Sequence, residues 1–211
     1  MSVSKIEDFD RACTAIQNAF REEPSYWYLA CKLQDKPLDI AIGSPNTVDL
    51  LTREFFTHYH DHGAQIMQAG DYATIAIWTS PSVSVPMART SDEAFNKIFF
   101  DTSLEIKHKV IPQGMQYYYL FMIGKDPESP VKGSVRAMFD HYTERANKEN
   151  VALVLEAISE HARDVYAHFG FVNYNTFKYG VGEVNNKGQL DSNGDGHTGY
   201  LMVYLPTATS T

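Results

Sequence analysis

Residues Tyr117–Ile123, with the sequence Tyr-Tyr-Tyr-Leu-Phe-Met-Ile, form the most apolar stretch of the chain. Aromatic and β-branched side chains are enriched in strands, and a run of this length suits a strand better than a helix. The stretch therefore predicts a central strand of a sheet, and the fold class depends on the elements around it.

Helix-like and strand-like patterns follow one another along the rest of the chain. Ser4 with Glu7 predicts a capping box for the first helix, and Ser91 predicts the cap of a later one. Apolar spacing predicts helices at 4–20, 26–31, 47–60, 92–108, 134–149 and 160–169. Strands are expected at 65–69, 72–79, 117–123, 151–157, 171–181 and 200–205. This order predicts one mixed α/β domain over residues 1–211.

The composition argues against several classes of protein. The formal net charge is −8, whereas a general nucleic-acid binder relies on clustered Lys and Arg. No apolar run approaches the ~18 residues that span a bilayer, and the polar start lacks an apolar signal core. Cys13 and Cys31 are too few for a disulfide framework. We therefore expect a cytoplasmic protein with no nucleic-acid or membrane partner, and a homodimer remains open because dimers are the commonest assembly.

A turn after the central strand has the character of an anion site. Gly133 stands at the start of a predicted helix, where unpaired backbone N–H groups and the helix dipole attract anions. Lys125, Lys132 and Arg136 add local positive charge. The alternative is an ordinary solvated helix start.

A second motif follows the strand at 151–157. Ser159, Ala162, Tyr166, Gly170 and Phe171 are spaced as in Asn-x-x-Ala-x-x-x-Tyr-x-x-x-Gly-Phe, with Ser in place of Asn. This pattern resembles motif B of the GNAT superfamily of acyl-CoA N-acyltransferases. The resemblance places motif B at 151–171.

Three further segments carry the resemblance towards the start of the chain. Residues Tyr119–Glu128 look like the strand and turn that open motif A in the puromycin-acetyltransferase-like, fungal-type branch, which places motif A at 117–149. Residues Ala76–Pro81 resemble the Trp-x-x-Pro end of that branch's third strand, and Ala19 with Phe20 fits its first helix. The resemblance implies a single GNAT-like domain, with a central, mostly antiparallel twisted sheet flanked by helices.

Motif A departs from the family pattern, which is Gln/Arg-x-x-Gly-x-Gly/Ala. The corresponding residues are Pro130-Val-Lys-Gly133-Ser-Val135. Pro130 has no N–H to offer, and Val135 puts a branched side chain where the backbone approaches a diphosphate. This departure bears directly on acetyl-CoA binding.

The resemblance implies an N-acetyltransferase that moves acetyl from acetyl-CoA, its co-substrate, to a primary amine by direct attack in a ternary complex. Tyr166 would act as the catalytic acid that protonates the leaving thiolate; the alternative is a core aromatic. The residues expected to bind the co-substrate are Ile123, Lys125, Val131, Lys132, Gly133, Ser134, Val135, Arg136, Ser159 and Arg163. A second functional hypothesis is a GNAT-like CoA-binding or regulatory module without catalysis.

The general base and the acceptor stay open. The central strand has no Asp or Glu between Gln116 and Gly124, so Glu156, Asp126 or a water chain are the alternatives. The acceptor is expected to be a small-molecule amine or a Lys-containing substrate, and the acidic net charge favours a cation. Some of the aromatic residues Trp27, Tyr28, Trp78 and Tyr117 are candidates to line its pocket.

Two motifs resemble metal sites, and neither is complete. His58, His60 and His62 lie at the end of a helical pattern, where only the first and last share a face. Residues 191–196 match the start of a calcium loop, but Met202 stands where the bidentate Glu is required. We expect no metal, and a hairpin turn at 191–196.

Overall fold

The computed structural model describes residues 1–41 and 44–207. Seven strands form one sheet in the order β1-β2-β3-β4-β5-β7-β6. All neighbouring strands are antiparallel except β4 and β5, which are parallel. The strands are β1 Val3–Lys5, β2 Gln65–Ala69, β3 Thr74–Thr79, β4 Tyr117–Lys125, β5 Ala152–Ala157, β6 Val172–Tyr179 and β7 His197–Tyr204. The predicted α/β class and mostly antiparallel sheet are confirmed.

Helices cover both faces of this sheet. They are α1 Phe9–Phe20, α2 Pro24–Leu33, α3 Pro45–Asp61, α4 Glu93–Asn96, α5 Ser103–Val110, α6 Ser134–Glu149 and α7 Glu160–His168. A π-helical segment, Lys97–Thr102, joins α4 to α5, and a short 3-10 helix spans Leu38–Ile40. Strand β3 shows the layering, because Ile75 and Ile77 pack towards α1 and α3 while Ala76 and Trp78 pack towards α6.

Helix α6 forms over the residues that its apolar stripe predicts. Met138, Phe139, Tyr142 and Ala146 are all fully buried against the sheet. The indole of Trp78 stacks on the Tyr142 ring with centroids 4.0 Å apart. Burying large apolar side chains of this kind stabilises a fold by roughly 1.5–3 kcal/mol each, so this layer holds α6 against β2, β3 and β5.

The two predicted caps are wrong. Ser4 belongs to β1 and pairs with Gln68 of β2, so the first helix begins later, at Phe9, where Asp8 accepts a hydrogen bond from the Arg11 N–H at 2.9 Å. The later helix is capped by Asp92 rather than by Ser91. A short edge strand depends on its partner strand, which local spacing does not reveal.

The long connection between β6 and β7 is attached to α2 by charged groups. The Lys32 ammonium donates to Asp92 at 2.7 Å and to Glu183 at 2.6 Å. The Tyr28 hydroxyl also donates to Glu183. This network joins α2, the start of α4 and the β6–β7 connection on one side of the sheet.

Candidate active site

Strands β4 and β5 separate partway along their length. Residues Tyr117–Leu120 pair with Ala152–Leu155, and the pairing stops there although β4 continues to Lys125 and β5 to Ala157. On its other side, β4 remains paired with β3 as far as Lys125. The two parallel strands therefore diverge, and a wedge opens in the middle of the sheet.

A β-bulge lies where the wedge begins. The register of β3 against β4 shifts between Ile77 and Trp78, which leaves Phe121 as the extra residue. Bulges bend a strand and redirect its side chains. Leu120 packs on the α6 side of the sheet, whereas Phe121 and Met122 both pack on the side of α1 and α3. The bend thus coincides with the last residue that β4 pairs to β5.

A cavity of about 250 Å³ occupies the wedge. Strand β4 contributes Leu120–Lys125 to its walls, α1 contributes Ala19 and Phe20, and α7 contributes Ala162 and Tyr166. Beyond Leu120 the edge of β4 that faces this cavity has no β5 partner, so its backbone donors and acceptors are available to a ligand. Ile123 and Lys125, both predicted to bind the co-substrate, lie on this edge.

Tyr166 lies on α7 at the wall of the cavity, packed against Phe139 with ring centroids 5.2 Å apart. Among the residues the structure describes, none forms a hydrogen bond with its hydroxyl. Burial raises the pKa of Tyr166, so the phenol stays protonated at neutral pH. The phenol therefore carries a proton available for donation, and burial makes it a weaker acid than an exposed tyrosine.

The start of α6 presents open backbone. Gly133 adopts a left-handed conformation, φ 80°, and a Cβ built there would meet nothing within 4 Å. Ser134 turns inward, where its hydroxyl accepts from Thr74 at 2.8 Å, and Val135 packs against the core. Both side chains are thus directed towards the core, and the space next to Gly133 is open.

The basic residues around this turn have different neighbours. Lys125 donates from its ammonium to the Ser129 carbonyl at 2.8 Å, and Arg136 donates to His168 at 2.9 Å, which joins α6 to α7. Lys132 is exposed. Val131 lines a separate surface groove.

Ser159 and Arg163, also predicted to bind the co-substrate, lie on α7. Ser159 caps that helix by accepting from the Ala162 N–H at 3.2 Å, and it also lines the cavity. Arg163 pairs with Asp164 at 2.8 Å. The cavity thus brings Ser159 near Tyr166, whereas Arg163 is engaged on the surface of α7.

The two carboxylates considered as bases have different positions. Glu156 lines the cavity, one residue beyond the last β5 residue that pairs with β4. Asp126 instead closes its own turn by accepting from the Glu128 N–H at 3.0 Å, and it lines the separate groove. Of the two, Glu156 has access to the wedge.

Sequence reasoning missed two charged residues near the cavity. Glu23 precedes α2 and lines the cavity wall, and the Lys107 ammonium on α5 lies 3.7 Å from the Glu156 carboxylate. Both depend on contacts between segments far apart in sequence, and no local motif marks them.

The aromatic residues proposed for the acceptor pocket lie elsewhere. Trp27, Tyr28, Trp78 and Tyr117 are not among the residues that line the cavity. Trp78, for example, is fully buried under α6. The aromatic side chains that line the cavity include Tyr26 of α2 and Phe55 of α3.

The metal-like motifs have structural roles. His58 contacts the Pro86 carbonyl at 2.8 Å, and His62 contacts the His58 carbonyl at 2.7 Å. In the loop at 191–196, the Asp191 carboxylate accepts from the Asn193 N–H at 2.9 Å. Within residues 1–41 and 44–207, no three His, Cys, Asp or Glu residues are grouped to hold a metal.

Over the same ranges, no helix has the length and apolar character needed to cross a membrane.

The divided parallel pair within a mostly antiparallel sheet is the GNAT acetyltransferase fold. The structure of histone acetyltransferase HPA2 and related acetyltransferase from Corynebacterium glutamicum matches it with a TM-score of 0.59 and 19% identity, over 100% of this chain and 98% of that one. The YOR012W acetyl transferase domain matches residues 4–84.

The chain belongs to the family of the uncharacterised Saccharomyces cerevisiae protein YDR391C, to which it is 40% identical over 205 residues, 96% of this chain and 86% of that protein. It is also similar to the uncharacterised N-acetyltransferase C550.08 of Schizosaccharomyces pombe, at 23% identity over 82% of this chain and 74% of that protein.

Proposed function

We propose that this protein transfers an acetyl group from acetyl-CoA to a primary amine. The observation that carries the proposal is the wedge between β4 and β5, which opens beyond Leu120 and Leu155 with Tyr166 at its wall. A thioester arm that enters the wedge can pair with the unpaired edge of β4 much as an added strand does.

The start of α6 fits the diphosphate of the co-substrate. The first-turn N–H groups of Ser134, Val135 and Arg136 have no intrahelical acceptor, and the space before Gly133 is open. An anion at a helix N-terminus is favoured both by these donors and by the helix dipole. Pro130 supplies no N–H, so binding rests on the residues from Lys132 onwards.

In the proposed reaction the protein acts mainly by positioning. Holding an amine against a thioester in a fixed geometry supplies a large part of the acceleration without a covalent intermediate. Backbone N–H groups of β4 near Ile123 polarise the thioester carbonyl. The nitrogen forms its bond to the carbonyl carbon, the carbon–sulfur bond breaks, and Tyr166 gives its proton to the sulfur. The nitrogen loses one proton to solvent, and solvent returns one proton to the Tyr166 oxygen.

Acetyl-CoA binding and turnover test the proposal separately. Calorimetry should detect acetyl-CoA binding to the full chain, and a panel of primary amines should release free thiol. Tyr166→Phe should lower turnover about 100-fold while leaving acetyl-CoA affinity unchanged, since general acids contribute typically 10²–10⁴-fold. No detectable binding at millimolar acetyl-CoA would refute the proposal, and binding without turnover would favour the non-catalytic module.

A further inference from the structure

The part of the cavity away from α6 has acidic and apolar walls. Tyr26, Leu29 and Phe55 supply apolar surface there. Among the described residues that line the cavity, the carboxylates are Glu23 and Glu156 and the ammonium is Lys125, which is held by the Ser129 carbonyl in the turn before α6. The walls therefore favour a cation on an apolar body over an anion.

Glu156 and Tyr166 lie on opposite faces of the sheet. Side chains alternate along β5, and Leu155 and Ala157 pack on the α6 side together with Tyr166. Glu156 therefore points to the other face, where α5 supplies Lys107. In an acyl transfer the incoming amine loses a proton and the leaving thiolate gains one. A proton acceptor on one face of the sheet and a proton donor on the other suit these two requirements.

The Glu156 carboxylate is mostly shielded from solvent and has one charged partner. Its side chain is 12% exposed, and its one ion pair among the described residues is the 3.7 Å contact with Lys107. Burial raises the pKa of two nearby phenols, Tyr119 and Tyr59, and the Glu156 charge raises both further. A hydrogen bond from Tyr119 to Glu156 adds to the rise in the pKa of Tyr119. The carboxylate therefore meets a neutral phenol and one ammonium at 3.7 Å, and the cavity that it lines leaves room for a cationic ligand.

We propose that Glu156 binds the ammonium of a compact primary amine with an apolar body and takes its proton. The apolar side chains of the cavity wall suit a free amine that carries a compact apolar body. Glu156 accepts one proton from the ammonium and passes it to water, which frees the nitrogen lone pair for attack on the thioester. Lys107 acts as a positioning residue for Glu156. This inference rests on the proposed function, which supplies the thioester.

Amine binding tests the role of Glu156 without requiring turnover. Calorimetry with 2-phenylethylamine, in the presence of coenzyme A, should give binding to the wild-type chain and at least tenfold weaker binding to Glu156→Gln. Glu144→Gln removes the same charge from the exposed side of α6 and should behave as wild type. Acetyl-CoA affinity should be equal in all three proteins, which controls for folding.

Several results would overturn the inference. They are undetectable amine binding to the wild type, equal binding to Glu156→Gln, tighter binding of 3-phenylpropanoate, or tighter binding of a capped lysine peptide. If turnover is observed, Glu156→Gln should lower kcat/KM about 100-fold and Glu156→Asp should recover part of the loss. Failure of acetyl-CoA binding in the wild type would refute the proposed function instead, and the amine titration would still decide the role of Glu156.

Discussion

Gly124 fixes how closely α1 approaches the wedge, and replacing it should move that helix. A Cβ built on Gly124 would lie 2.5 Å from the Ala19 Cβ and 3.1 Å from the Ile16 Cδ1. Carbon atoms pack at about 3.5–4.0 Å, so Gly124→Ala requires α1 to move by roughly 1 Å. Overpacking of this kind costs about 1–3 kcal/mol. A loss of about 2 kcal/mol corresponds to a fall in Tm of roughly 4–8 °C at this chain length.

A double-mutant cycle separates this clash from other effects. Ala19→Gly alone should cost about 1 kcal/mol through its lower helix propensity. It also removes the methyl group that Gly124→Ala would meet, so the double variant should lose about 1 kcal/mol rather than about 3. Urea denaturation measures each free energy of unfolding. The reasoning is refuted if Gly124→Ala changes stability by less than about 0.5 kcal/mol, or if the two losses simply add.

The charged network on α2 gives two further predictions. Lys32→Met should lower the free energy of unfolding by about 2 kcal/mol, below the 3–5 kcal/mol typical of a fully buried pair, because the side chains of Asp92 and Glu183 stay 31% and 35% exposed. A loss below about 0.5 kcal/mol in urea denaturation would contradict a stabilising role for this network. The Lys32 hydrogen bond lowers the pKa of Asp92, so its stabilisation is present above the unfolded value of about 3.9 and is lost as pH falls through the folded value. Asp92→Asn should therefore make Tm depend less on pH over this acid range, which thermal melting at a series of pH values would measure. The same pH dependence of Tm in the variant and the wild type would contradict the argument.

Local patterns predicted the elements whose side chains carry a clear period. Helix α6 spans the predicted residues because its stripe is regular, and the apolar run at Tyr117 is the central strand. Strand β1 was missed because it has three residues and exists through its pairing with β2. The predicted helix at 4–20 includes Ser4 and Lys5 of this strand, since helical spacing is apparent from local sequence and strand pairing is not.

The parts of the candidate site that lie within one segment of the chain could be predicted from the sequence. The parts that distant segments form together could not. The spacing of motif B indicates both Tyr166 and Ser159, which line the cavity on and just before α7. The end of β4–β5 pairing and the bulge at Phe121 are matters of register between strands. Lys107 meets Glu156 across a long stretch of sequence, so the environment of that carboxylate could be seen only in the folded chain.

The most direct test of the central claim is a map of backbone amide resonances with and without acetyl-CoA. If the co-substrate enters the wedge, the largest changes should fall on Phe121–Lys125 of β4 and on Gly133–Arg136 at the start of α6. Changes concentrated on the β6–β7 connection, or no changes at millimolar acetyl-CoA, would contradict the claim that the parting of β4 and β5 forms the binding site.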